Sequence, residues 1–133
     1  MSRSESEWRA ILTPEQYKVL RQRGTEAPFL GKYTYTAASD RGVYRCAACS
    51  QPLYMANTKF QSDCGWPAFY QALPGALIVI TDLRYTSHGR LMEEIACSSC
   101  DSHLGHIFKG EGFRTPTNER HCVNSICLRL DNQ

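Results

Sequence analysis

Two cysteine pairs of identical spacing, Cys46-Ala47-Ala48-Cys49 and Cys97-Ser98-Ser99-Cys100, constrain this chain more than any other feature of it. Two residues between cysteines let both thiolates turn toward one ion, and two such knuckles complete a tetrahedral four-sulfur site for zinc. The knuckles must then meet in space, although Ser50 to Ala96 separate them, a longer stretch than a minimal zinc ribbon holds. A catalytic module can be inserted between knuckles that close on one ion. Four thiolates leave no open coordination position, so one structural zinc per chain is expected. A pair of thioredoxin-like redox motifs is the competing reading, but neither CxxC opens a helix after a strand as that fold needs. A nucleic-acid-binding ribbon calls for basic and aromatic clusters, and only Tyr44 and Arg45 lie nearby.

The chain has 133 residues, room for one domain and one core. Hydrophobic residues make up 42% and charged residues 21%, an ordinary globular balance. A net charge of +2 gives no electrostatic case for nucleic acid or membrane partners. Met1 to Glu7 are polar with no apolar run behind them, so no secretory signal is visible. Ala76 to Ile80, the longest apolar run, is far short of the roughly 20 residues that span a bilayer. A cytoplasmic address is expected, in a reducing compartment. Seven cysteines, an odd number, there point to metal or redox chemistry before a disulfide scaffold.

One helix is signalled near the start. Thr13 reads as its N-cap, Pro14 as the first helical position and Gln16 as the partner in a capping box, with Gly24 as C-cap. Beyond Tyr33 the pattern turns to short β-like runs: Gly42 to Arg45, Pro52 to Tyr54, Ala76 to Asp82, Leu91 to Ala96, Leu104 to Phe108 and Cys122 to Leu130. Tyr85 to Leu91 reads as a hairpin corner with Gly89 in the turn. These elements predict a mainly β domain, two antiparallel sheets in a barrel-like or sandwich arrangement, with a short N-terminal helix and a four-cysteine zinc site. The whole chain, 1–133, is expected to be one domain: a helical segment over about 5–24 and a zinc-bearing β domain over about 33–131.

Three cysteines remain. Cys122 lies beside Arg120 and His121, a guanidinium and an imidazole that favour the thiolate. If Cys122 begins a strand, Asn124, Ile126 and Leu128 share its face, Arg120 precedes them on that side, and Cys127 falls on the other. Cys127 would also lie ~17 Å along the strand, beyond the ~7 Å limit for a disulfide. It reads as a packed thiol. Cys64 sits in a polar loop marked by Gly65 and Pro67, where a thiol can move, and by elimination it is the candidate to bridge Cys122 during turnover. His103 and His106, with Gly105 between them, follow the second knuckle and suit general acid work.

In their order and spacing these segments resemble the methionine sulfoxide reductase B family. The likeness rests on the two knuckles, Cys64-Gly65-Trp66-Pro67-Ala68-Phe69, Cys97 to Phe108, Arg120-His121-Cys122-Val123-Asn124-Ser125 and the opening Leu12 to Tyr17. It implies reduction of the R epimer of methionine sulfoxide in proteins, the chemistry of protein repair under oxidative stress. Cys122 would attack the sulfoxide sulfur and become a sulfenic acid; Cys64 would condense with it to a disulfide that thioredoxin reduces. His103 and His106 would bind and protonate the oxygen. Trp66, with Phe108 or Phe113, would wall the methyl group; Asn124 would orient the site and Arg120 stabilise the thiolate. The expected partners are oxidised proteins and thioredoxin, with the chain acting as a monomer. Many members carry an acidic residue shortly after the second histidine, where this chain has Lys109-Gly110-Glu111, and the resemblance leaves Glu111 open as its replacement. Cys127 stands where the family often has a small residue such as Ser.

Overall fold

Two capping boxes in succession start the fold. A computed structural model describes residues 3–36, 41–85 and 91–131. Within it, α1 spans Glu5–Ile11 behind Ser4, whose hydroxyl accepts from the Glu7 amide while the Glu7 carboxylate accepts from the Ser4 amide. Helix α2 spans Pro14–Leu20, with Thr13 and Gln16 in the same reciprocal arrangement and Pro14 at its first position. The sequence reading predicts only the second of these, although Ser4 and Glu7 carry the same signal. It also runs that helix too far. Arg21 is the C-cap, Arg23 takes a left-handed φ of 58°, and the Gly24 amide returns to the Lys18 carbonyl at 2.9 Å. A side chain at Gly24 would meet that carbonyl at 2.8 Å, which explains the glycine.

The described residues then form β1 Val43–Cys46, β2 Pro52–Met55, β3 Ala68–Phe69, β4 Leu77–Tyr85, β5 Leu91–Cys97, β6 His103–Lys109, β7 Glu119–Val123 and β8 Leu128–Asp131. They build two antiparallel sheets, one ordered β2-β1-β8 and the other β3-β7-β6-β5-β4. The arrangement is sandwich-like. Tyr44 of β1 meets Phe69 of β3 edge-on at 5.1 Å, and Tyr54 of β2 stacks on the same ring at 4.3 Å, so one aromatic cluster joins the sheets. Each such ring buries roughly 150–250 Å², about 4–6 kcal/mol at 25 cal/mol per Å² before ordering costs. Trp8, Val19 and Leu20 of the helices belong to the same buried cluster. The expected hairpin corner at Tyr85 to Leu91 falls mostly on residues 86–90, outside those described.

Two departures from regularity shape the site. The pairing of β5 with β6 shifts register between Ile95 and Ala96, so that Ile95 faces Gly105 but Ala96 faces His103. One extra residue on β6 switches side-chain parity there, as a bulge does. The second departure corrects the reading of Cys122 to Leu130 as one strand. Strand β7 stops at Val123, a 3-10 turn covers Ser125–Cys127, and β8 continues in the other sheet. Alternation therefore ends at Val123. Cys127 is fully buried and its thiol reaches the His103 carbonyl at 3.4 Å, so its isolation comes from burial rather than strand distance.

Candidate active site and metal centre

The two knuckles are the same turn built twice. In each, the first cysteine's amide donates to a carbonyl five residues on, Cys46 to Gln51 and Cys97 to Ser102, both at 2.9 Å. In each, the residue after the second cysteine is left-handed, Ser50 at φ 68° and Asp101 at φ 62°, and its amide closes on the first cysteine's carbonyl at 2.8 Å. All four sulfurs lie within 4.8 Å of one another. The Cys46–Cys100 and Cys49–Cys97 separations of 3.8 and 3.5 Å compare with about 3.8 Å for the edge of a tetrahedron with 2.3 Å metal–sulfur bonds. Hydrogen bonds from Cys100 and Cys97 push the Cys46 thiol far up, while the contact with Cys46 draws Cys100 far down. Thiolates this close repel, and a divalent cation is what lets all four ionise together. The donor set fits a metal ion. Arg21 ties α2 to this end, donating to the Cys100 carbonyl at 2.8 Å and the Ser102 hydroxyl at 3.1 Å.

Strand register assembles the second site. Ala68, Cys122, His106, Glu94 and Ile80 are successive partners across β3, β7, β6, β5 and β4, so they form one row on one face of the sheet. Beside that row, Arg120 partners Phe108. Gly105 sits between His103 and His106 because a Cβ there would strike the Cys122 carbonyl at 1.9 Å. The glycine serves close approach of two strands, not a turn.

A cavity of about 260 Å³ opens on this face, lined by Thr25, Cys64, Trp66, Gly105, His106, Phe108, Arg120, Cys122 and Asn124. The Cys64 and Cys122 sulfurs lie 2.9 Å apart, both as free thiols. Their mutual hydrogen bond draws Cys64 down to about 5 and, with burial, holds Cys122 well above the usual thiol range. The Arg120 guanidinium, 3.3 Å from the Cys122 sulfur, lowers both. The pair thus sheds its first proton more readily than its second, and the opposite directions favour the charge on Cys64 with the shared proton on Cys122. Arg120 is itself fixed by a bidentate ion pair with Glu111 at 2.8 and 3.0 Å, and its guanidinium lies 4.2 Å over the Phe108 ring. Glu111 is thereby the acidic partner at the site.

The other residues singled out from sequence divide. Trp66 lines the cavity and its indole N–H donates to the Glu26 carbonyl at 3.1 Å. Asn124 has its side chain taken by backbone: it donates to the Leu104 carbonyl and accepts from the Glu26 amide, both at 3.0 Å. His106 faces the cavity, whereas His103 lies behind it, 5% exposed, with ring centroids 5.8 Å apart and edge to face. Phe113 is not in the cavity wall; it packs on Phe60 at 5.1 Å. His121, expected to help the thiolate, turns to the opposite face, bonded to Tyr54 and Glu119 at 2.8 Å and held down toward the neutral form by burial. Sequence reasoning misses Thr25, Glu26 and Glu94. Glu26 accepts from the Ser125 and Ile126 amides at 2.9 and 2.8 Å, which caps the turn after Cys122.

Among the described residues no helix is long and apolar enough to cross a membrane. Residues 12–132 match the SelR domain. The chain is 55% identical over 130 residues to peptide methionine sulfoxide reductase B2, chloroplastic, of Arabidopsis thaliana, covering 98% of this chain but 61% of that protein. It is 54% identical over 128 residues to peptide methionine sulfoxide reductase B5 of rice, Oryza sativa subsp. japonica, covering 96% of this chain and 89% of that one. The Yippee-like domain of Mis18 shares the fold at a TM-score of 0.55 and 14% identity, over 70% of this chain and 97% of that domain. With the SelR match running through both knuckles and the Cys64–Cys122 cavity, the chain belongs to the peptide methionine sulfoxide reductase B family.

Proposed function

We propose that this protein reduces methionine-(R)-sulfoxide in oxidised proteins, with Cys122 as nucleophile and Cys64 as resolving thiol. The observation that carries the reading is a pair of free thiols 2.9 Å apart, beside Arg120, in a cavity walled by Trp66 and Phe108. The proton shared by the pair moves to Cys64 as the Cys122 sulfur attacks the sulfoxide sulfur, and Arg120, 3.3 Å away, stabilises the charge on Cys122. The sulfoxide oxygen takes a proton from His106, and the resulting hydroxyl passes from the substrate sulfur to the Cys122 sulfur as the bond between the two sulfurs breaks, leaving methionine and a Cys122 sulfenic acid. Cys64 then attacks that sulfenic sulfur, water leaves, and a Cys64–Cys122 disulfide forms. A dithiol protein of the thioredoxin type restores both thiols by exchange. The methyl group packs on the Trp66 indole and the Phe108 ring.

Cys46, Cys49, Cys97 and Cys100 would hold one zinc, and with four thiolates as its ligands its role would be structural. Bound there, it would fix the turn from which β6, and with it the two histidines, emerges. The protein acts as a monomer in the cytoplasm. The decisive experiment offers a racemic sulfoxide peptide and a dithiol, then follows each epimer by chromatography. Consumption of the R form alone supports the proposal; consumption of peroxide with neither epimer touched would replace it with a thiol peroxidase.

A further inference from the structure

One buried ionisable group has no part in the chemistry above. Glu94 is 4% exposed, yet both carboxylate oxygens are occupied. One accepts from the Arg23 Nη2, and the other from the Arg23 Nε at 3.0 Å and from His103 Nδ1 at 2.7 Å. A buried carboxylate is costly unless paired and hydrogen-bonded in this way. Its position is not arbitrary. Glu94 is the direct cross-strand partner of His106, which is in turn the partner of Cys122, so all three project from one face. The β6 bulge then brings His103 to the same side, between the carboxylate and the His106 ring. A chain of contacts therefore runs from Arg23 through Glu94 and His103 to His106.

We propose that Glu94 is a positioning residue for the two imidazoles. Its carboxylate, charge-matched by Arg23, fixes His103 as the Nδ1–H tautomer, and the fixed His103 ring buttresses His106 edge to face over the cavity. A carboxylate that orders one imidazole, which orders the next, is second-layer support of the kind that sets ring orientation in other histidine sites. The alternative, that Glu94 only ties the end of α2 to the sheet, leaves the 2.7 Å bond to His103 without a purpose. The inference rests on the reductase reading, since it assigns His106 a proton to deliver.

Glu94→Gln separates the two roles. The Arg23 Nε and His103 Nδ1 bonds share one carboxylate oxygen, so a Gln that keeps them sets its amide N–H against Arg23 Nη2, donor against donor, and lacks the charge that holds the pair in place. Losing the alignment of a general acid, whose contribution is roughly 10²–10⁴-fold, is expected to slow single-turnover formation of methionine by about tenfold or more. KM should stay within about twofold and the iodoacetamide reactivity of Cys122 should not change, because Glu94 does not itself line the cavity and its hydrogen bonds go to Arg23 and His103 rather than to a thiol. Metal content and melting temperature report whether the variant folds. Nitrogen-15 NMR of the His103 ring gives a test that needs no variant: Nδ1 carries the proton in the wild type. A wild type with His103 protonated on Nε2 alone overturns the inference, as does a folded Glu94→Gln enzyme with unchanged single-turnover rate. A wild type inert toward R-sulfoxide overturns the functional reading itself, whatever the tautomer.

Discussion

The four knuckle cysteines and the Cys64–Cys122 pair start from one side chain and reach opposite chemistry. At the knuckles each thiol leaves a closed turn whose backbone bonds are duplicated almost atom for atom, and every sulfur has three like neighbours within 4.8 Å. Each sulfur is set by its closed turn, and the four could together hold one ion. In the cavity only one of the two thiols is held by a strand. Cys122 is locked between β3 and β6, while Cys64 sits half-buried in a loop, and the nearest cation is a guanidinium rather than a metal. One charge shared by two sulfurs, with a substrate-sized space beside it, is reactive. The difference lies in what supplies the positive charge and in whether a closed turn or an open loop carries the sulfur.

The largest expected effect tests the rigid half. Structural zinc binding is worth roughly 10–16 kcal/mol in small domains, comparable with or greater than a whole domain's stability. Cys97→Ser is therefore expected to lose the metal and the cooperative melting transition together, read by metal analysis and circular dichroism. A metal-free variant that melts like wild type and keeps its activity would show that the knuckles do not anchor the fold.

Next come the two reactive thiols, which should fail differently. Cys122→Ser abolishes methionine release even in a single turnover, because a hydroxyl is a far weaker nucleophile than a thiolate. Cys64→Ser releases one methionine per chain and then stalls, its sulfenic acid captured by a dimedone-type probe at Cys122. A small dithiol rescues that variant while thioredoxin does not. Normal thioredoxin-dependent turnover by Cys64→Ser, with a peptide map showing Cys122 bridged to Cys127, would mean the core around the 3-10 turn opens during catalysis.

A smaller effect concerns charge. The thiol hydrogen bond and Arg120 hold the Cys64 value near about 5. A depressed value means that the charged form dominates above it. Alkylation of the pair by iodoacetamide should hold its rate from neutral pH down to that region and fall as pH drops through about 5. In Arg120→Met the fall-off should move to higher pH, and Glu111→Gln, which loosens the guanidinium, should move it part of the way. An ordinary thiol profile near about 8.5 in the wild type would refute the shared-charge description.

Much of this is readable in the sequence. The knuckle spacing, the Thr13 capping box, and Cys122, Arg120, Trp66 and His106 each carry a local signal, and the fold brings them where that signal implies. The misses have a common cause. Ser4 and Glu7 do form a recognisable motif, but Glu26 and Glu94 have none: the Glu26 carboxylate finds its partners 99 and 100 residues away, and Glu94 pairs with His103 nine residues on and Arg23 71 residues back. The parity of His103 and His106 is equally hidden, because it depends on a bulge that a strict two-residue period excludes. The same period misleads beyond Asn124, which does line the cavity with Cys122 but after which the chain leaves one sheet for the other.

Glu26 offers the finest test of the comparison, because it does for the cavity what duplicated turns do for the knuckles. Its carboxylate accepts from two successive amides, Ser125 and Ile126, its own amide donates to Asn124, and its carbonyl accepts from the Trp66 indole. One residue thus fixes the turn after Cys122 and one wall of the cavity. Glu26→Gln can accept from only one of those amides, and an amide left without its acceptor costs about 1–3 kcal/mol. The unfolding free energy should fall by that amount, lowering the denaturation midpoint at unchanged slope. If the carbonyl shifts with the side chain, Trp66 loosens as well: KM for the sulfoxide peptide rises several-fold while the single-turnover rate at saturation stays near wild type. Of the two tryptophans, only Trp66 lines the cavity, so the fluorescence change on substrate binding should shrink in parallel. A variant with reduced stability but unaltered KM and fluorescence would confine Glu26 to the turn and leave the Trp66 wall to be held by its own loop.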